Sequence, residues 1–234
     1  MKIKFKIHPL YYIVFFIMFI TGYFKYFTLY TLIILVHELG HVFAGLILKW
    51  PIEKVTLYPF GCMTTFNKIN SSFYEEFLVL IYGPLFQILF NYLYPLPYSK
   101  FILIFNLLPI YPLDGSKLLL LVLNILFSYY TSYIVIYLIS IITILTLCVY
   151  NLDFLSLIIL LFLLYDVYKY YKDLNMYMLY IIYDRYKNKY IFKKNNIIIG
   201  SKIYKIKRFR NNFFYIDNRY IEEYKYFSIY NLTK

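Results

Sequence analysis

The sequence predicts an all-α membrane protein of about six transmembrane helices, followed by a small basic tail with short strands. Three observations predict it. Of 234 residues, 62% are hydrophobic and only 15% charged, and the mean hydropathy is +0.61, a balance that excludes an ordinary soluble domain. Long stretches carry almost no charge: Tyr26 to Leu48 holds only Glu38, while Phe77 to Ser99 and Leu118 to Leu152 hold none. Each is long enough to cross a hydrocarbon core of about 30 Å. The formal net charge of +12 sits at one end, because residues 169–234 hold 15 Lys/Arg against 5 Asp/Glu, with 9 against 7 in everything before.

The elements follow in order. Lys2, Lys4 and Lys6 precede an apolar run from Pro9 to Phe24; no small-residue cleavage site follows it, so it is expected to be a retained first span. The second span is expected over about Tyr26 to Leu48, the third over Phe77 to Leu93 and the fourth over Phe101 to Phe127. The apolar run from Leu118 is too long for one helix, and the polar cluster from Ser128 to Ser132 breaks it. A fifth span, about Tyr133 to Tyr150, and a sixth, about Asp153 to Tyr171, complete a domain of residues 1–171. Residues 172–234 form the basic tail, with strand-like pieces near Ile197 to Ile206 and Phe213 to Ile221. Basic residues at both ends, with Lys49, Lys54 and Lys68 between the second and third spans, place both termini in the cytoplasm of a multi-pass cell-membrane protein.

Seven of the eight prolines fall between Pro51 and Pro112. Pro95 and Pro97 suit an ordinary loop. Elsewhere proline frees backbone polar groups at membrane depth, which persist only where protein or a water-filled cavity satisfies them. Cys62 and Cys148 stand in no CxxC pair and read as small buried hydrophobes. The abundant Tyr and Phe, alongside Ile, Asn and Lys, reflect an AT-rich coding sequence more simply than a binding platform.

Chemistry concentrates in His37-Glu38-Leu39-Gly40-His41. Histidines four residues apart share a helix face and reach one zinc, while the adjacent glutamate takes a proton from water activated by the metal. Ionisable side chains in the middle of an apolar span default to function, since a bilayer penalises them otherwise. His8, between basic residues and Pro9, reads instead as an interfacial histidine. A zinc of this kind needs a third protein ligand and an open position. Asp114, the only acid between Lys100 and Lys117, lies among Pro109, Pro112 and Gly115, where freed backbone would surround it. A dication beside it would keep its carboxylate ionised; the competing reading is a helix-capping aspartate.

Together, His37-Glu-Leu-Gly-His41 and the later Asn106-Leu-Leu-Pro-Ile-Tyr-Pro-Leu-Asp114-Gly115 resemble the site-2 protease family of intramembrane zinc metalloproteases. Val55-Thr-Leu-Tyr-Pro-Phe-Gly61 is similar to that family's re-entrant hairpin, and Tyr82-Gly83-Pro84-Leu85 to its third-span motif. Over residues 1–170 the chain resembles the six-span branch without a PDZ domain, the stage IV sporulation protein FB type. That resemblance implies one Zn2+ held by His37, His41 and Asp114, and Glu38 as general base. It implies a substrate-positioning role for Asn106, with Gly83, Pro84, Pro109 and Pro112 beside it. It also implies a membrane-associated protein substrate, the precursor pro-sigma-K, and inhibitory membrane proteins as partners. Many members of the branch end in a nucleotide-binding CBS domain; the tail here is expected not to be a complete one.

Eight residues from His41 to Lys49 put the site roughly 12 Å below the cytoplasmic boundary. The tail is read first as lying on the anionic leaflet, each basic residue adding about 1 kcal/mol of attraction, and second as a dock for a substrate domain. Nucleic-acid binding is not expected, because Lys207-Arg208-Phe209-Arg210 is a single short cluster. Two rivals stay open: a general site-2 protease acting on anti-sigma factors or signal-peptide remnants, and a metal-binding transporter or inactive scaffold. The latter would tolerate Glu38→Gln far better than a hydrolase would. His and carboxylate ligands also suit other first-row metals.

Overall fold

The computed structural model describes residues 4–59, 61–68, 70–150 and 154–229. It divides into two compact units, Met1–Leu107 and Leu108–Lys234.

In the first unit, strand β1 (Lys4–Ile7) leads into α1 (Pro9–Ile20), whose N-cap is His8: its ring accepts from the Leu10 amide at 3.3 Å, and Pro9 occupies the first turn, where a missing N–H costs nothing. The structure ends this helix earlier than Phe24. Gly22 has φ +79, a left-handed turn that breaks the helix after 12 residues, about 18 Å of rise and short of a bilayer core. No α1 residue is buried, and Phe16, Phe19 and Ile20 are fully outward.

Helix α2 (Phe24–Ile47) and helix α3 (Phe73–Leu93) are long and apolar enough to cross a membrane. Between them β2 (Ile52–Tyr58) and β3 (Gly61–Phe66) form an antiparallel hairpin, with β1 parallel to β2, so the order is β1-β2-β3. This β-hairpin covers the segment similar to the family's hairpin and starts earlier, at Ile52; Phe60 lies outside the described residues. Lys49, at φ +54, and the Trp50 amide bonded to the Gly45 carbonyl at 2.8 Å turn the chain out of α2 into β2. Ser72 caps α3 by accepting from the Glu75 amide, and Glu75 and Glu76 complement the positive end of the helix. Trp50, buried against Ala44 and Val79, donates to Glu75 at 3.1 Å. Helix α4 (Ser99–Asn106) closes the unit.

In the second unit α5 (Asp114–Leu126) begins just after a cis Tyr111–Pro112 bond. The fourth expected span is therefore two helices, because Pro109 and Pro112 supply no N–H and cannot continue a ladder. Helix α6 (Tyr129–Tyr150) is the third helix long and apolar enough to span. Helix α7 (Phe154–Lys172) occupies the residues of the sixth expected span from Phe154 on; Asp153 lies outside the described residues.

The tail is a folded module. Helix α8 (Leu174–Asn188) precedes β4 (Asn195–Ile199), β5 (Asn211–Ile216), β6 (Arg219–Glu222) and α9 (Glu223–Ile229). The sheet order is β4-β5-β6, parallel then antiparallel, and Asp217 and Asn218, both at positive φ, make the two-residue turn. Ile198, Ile206, Phe214 and Phe227 are fully enclosed, with Tyr226 stacked on Phe214 at 3.9 Å. Tyr129 of α6 joins this core, and its amide donates to the Ile206 carbonyl at 3.0 Å. The Arg185 guanidinium, wholly buried, holds both Glu223 oxygens at 2.8 and 3.1 Å and the carbonyls of Arg208 and Arg210.

Candidate metal centre

His37, Glu38 and His41 are all buried on α2. One turn of helix puts the two imidazoles on one side, and their Nε2 atoms face each other at 3.2 Å. Each outer nitrogen is engaged by α3: His41 Nδ1 lies 2.7 Å from the Val79 carbonyl, and His37 Nδ1 lies 2.9 Å from Gln87 Oε1. A carbonyl oxygen only accepts, so His41 carries its proton on Nδ1 and turns the Nε2 lone pair inward. Metal-ligating histidines are held by this type of outer hydrogen bond.

The separation fits a metal. Two nitrogens at Zn–N distances of about 2.0–2.1 Å and a tetrahedral angle stand roughly 3.3–3.4 Å apart, against the 3.2 Å found here. A cation between the two Nε2 atoms would bind both.

The close approach of α2 and α3 depends on two glycines. A Cβ on Gly40 would collide with the Tyr82 carbonyl, and one on Gly83 would collide with His41 Nε2 and stand 2.9 Å from His37 Nε2. Val79, Gly83 and Gln87 recur every four residues, so a single α3 face serves both histidines. Gly83 is thus a neighbour of the imidazoles as well as part of the third-span motif. Pro84 is buried next to it and removes one amide from the α3 ladder. Gly45, by contrast, faces the Phe66 ring and serves packing alone.

Glu38 is 7% exposed and adjoins His37 on α2. Its carboxylate is an acceptor suited to water. Asn106 is the last residue of α4.

Asp114, in the second unit, is the first residue of α5, buried, and bonded to Lys117 Nζ at 2.9 Å. Asp114 is not the cap of α5, whose N-cap is Leu113 with no side-chain cap hydrogen bond; one of its oxygens can hold Lys117 while the other serves elsewhere. The turn before it is clamped by α6: Ser140, fully buried, accepts from the Tyr111 amide at 3.0 Å and donates to the Pro109 carbonyl at 3.4 Å. Tyr170 of α7 stacks on Tyr111 with ring centroids 4.2 Å apart. Pro109 and Pro112 thus shape the turn that leads to Asp114.

Sequence reasoning missed Gln87 and Ser140. A signal existed for Gln87, an uncharged polar residue four positions after Gly83 in an apolar span. None existed for Ser140, one of many hydroxyls in these helices.

No family model matches the chain. It is 34% identical over 144 residues to stage IV sporulation protein FB of Bacillus subtilis, covering 52% of this chain and 48% of that protein. It is 31% identical over 117 residues to the zinc metalloprotease MJ0392 of Methanocaldococcus jannaschii, covering 42% of this chain and 34% of that one. The chain therefore spans half or less of the length of these curated relatives. Its structure superposes on the site-2 protease from Methanocaldococcus jannaschii with a TM-score of 0.55 at 23% identity, over 72% of this chain and 92% of that one. The fold is that of a site-2 protease.

Proposed function

We propose that this chain, with its site-2 protease fold, is an intramembrane zinc metalloendopeptidase that cuts a membrane-associated protein near the cytoplasmic face. The observation that carries the reading is the His37–His41 pair, with Nε2 atoms 3.2 Å apart. His37, His41 and Asp114 would hold one Zn2+, a donor set with room left for water.

The zinc, when bound, supplies Lewis acidity and lowers the pKa of water towards neutrality. Glu38 would accept one proton from water as the water oxygen bonds to the scissile carbonyl carbon, and would deliver it to the amide nitrogen as the C–N bond breaks. Asn106 is assigned to orient the substrate, with Gly83, Pro84, Pro109 and Pro112 shaping the space around the scissile bond. Strand β3 is an edge of its sheet, and an extended substrate would pair with it; proline substitutions from Cys62 to Thr65 should then slow cleavage, and unchanged rates would reject that role.

A multi-pass topology built on α2, α3 and α6, a hairpin that re-enters the membrane and cytoplasmic termini complete the reading, with the basic tail at the anionic leaflet. The substrate proposed first is a pro-sigma-K-like precursor, on the similarity to the sporulation protein, with inhibitory membrane proteins as regulators. Co-expression of this chain with tagged pro-sigma-K tests it, with Glu38→Gln as the paired control. Cleavage lost in the variant supports protease and substrate together. Cleavage that survives Glu38→Gln rejects the catalytic assignment, and zinc-loaded protein that leaves pro-sigma-K intact moves the reading to anti-sigma factors or signal-peptide remnants.

A further inference from the structure

We infer that Gln87 is a positioning residue for the metal centre: it selects the tautomer of His37 and fixes that choice to the start of α4. The inference rests on the metal-site reading above and goes beyond it by naming what orients the first ligand. The observations are all within the first unit. Gln87 is 1% exposed. Its Nε2 donates to the Ser99 carbonyl at 2.9 Å, and its Oε1 lies 2.9 Å from His37 Nδ1.

The two ends of the amide settle each other. The Ser99 carbonyl can only accept, so the amide NH2 must face Ser99 and the amide oxygen must face His37. An amide oxygen also only accepts, so His37 carries its proton on Nδ1 and presents Nε2 as a lone pair. His41 reaches the same state through the Val79 carbonyl. The difference is that the Val79 partner is a backbone carbonyl that mutation cannot remove, whereas the partner of His37 Nδ1 is a side chain. Reversing the Gln87 amide would set NH2 against His37, draw the proton to Nε2 and abolish the ligand. Ser99, buried at the first position of α4, holds the amide in the productive sense, so the entry of α4 and the first ligand are set by a single hydrogen-bond chain.

Three full-length proteins in detergent test this: wild type, Gln87→Met and Gln87→Glu. Methionine keeps the length and volume without the acceptor, and glutamate restores an acceptor for Nδ1–H. The readouts are zinc affinity against a chromophoric chelator, the visible spectrum of the Co2+-loaded protein, and thermal unfolding without metal. Outer-partner loss typically costs 10–100-fold in metal affinity. The expected result is a loss of that size in Gln87→Met with its metal-free unfolding retained, and zinc affinity within about threefold of wild type in Gln87→Glu with a tetrahedral Co2+ spectrum. Wild-type affinity in Gln87→Met overturns the inference. Equal losses in both variants overturn it too, since they indicate packing alone. Should Gln87→Met not fold, a tenfold loss in folded Gln87→Glu is the overturning result. Wild-type protein whose zinc binding is unchanged by His37→Ala would sink the metal-site reading itself, an outcome separable from all of these.

Discussion

Gly83 of α3 stands against His41 of α2 with no room for a side chain between them: a Cβ at position 83 would overlap the imidazole that offers Nε2. The helix crossing and the metal site are one piece of packing, so backbone changes at the crossing act on the chemistry.

Gly83→Ala should accordingly cost zinc affinity before it costs the fold, because the colliding atoms are two imidazoles that can rotate away. Gly40→Ala should cost the fold first, since its collision is with the Tyr82 backbone, and overpacking of this kind costs about 1–3 kcal/mol or more. Zinc content and thermal unfolding, measured side by side, separate the two; equal effects on both readouts would reject the distinction.

Metal content and hydrolysis should part company between neighbours on α2. His37→Ala is expected to lose both. Glu38→Gln is expected to retain zinc and lose about 10²–10⁴-fold in rate, the usual contribution of a general base. Retained turnover in a zinc-loaded Glu38→Gln protein would assign proton transfer to another group.

Ser140→Ala removes the hydroxyl that bridges the Tyr111 amide and the Pro109 carbonyl. A part-buried amide left without its acceptor costs at most about 1–3 kcal/mol. The variant should unfold earlier and exchange the Tyr111 amide faster. Unaltered exchange there would show that the turn holds without α6.

Glu223→Ala should melt the tail module, because it strands a fully buried guanidinium, at a cost of about 3–5 kcal/mol. Limited proteolysis within residues 185–229 reads this directly. Replacing Arg185 and Glu223 together with apolar residues should restore much of the loss, since no stranded guanidinium then remains at position 185. Resistance equal to wild type in Glu223→Ala would remove the ion pair from the module's stability.

Much of the architecture was legible in advance, for reasons particular to each element. The lack of charge across α2, α3 and α6 marks them as long apolar helices, since hydropathy depends on composition alone. The ends were less legible: α1 stops at a left-handed glycine, and the fourth expected span splits at a proline turn, both set by local backbone geometry. In the tail, Ile197 to Ile206 is strand only to Ile199 and then a turn with a short 3-10 helix, and Phe213 to Ile221 is two strands joined at Asp217 and Asn218; neither these breaks nor the packing of α8 and α9 was legible, because that core is assembled from residues 129 to 227.

By itself, the sequence determined that two imidazoles and a carboxylate stand together on one helix. Histidines one helical turn apart must share a face, and a glutamate between them must lie beside that face, whatever surrounds the helix. Only the tertiary structure decided how those imidazoles are aimed. Their outer nitrogens are held by Val79 and Gln87, some 38 and 50 positions away in the chain, and hydrogen bonds of that separation exist only once α2 and α3 have packed at Gly40 and Gly83.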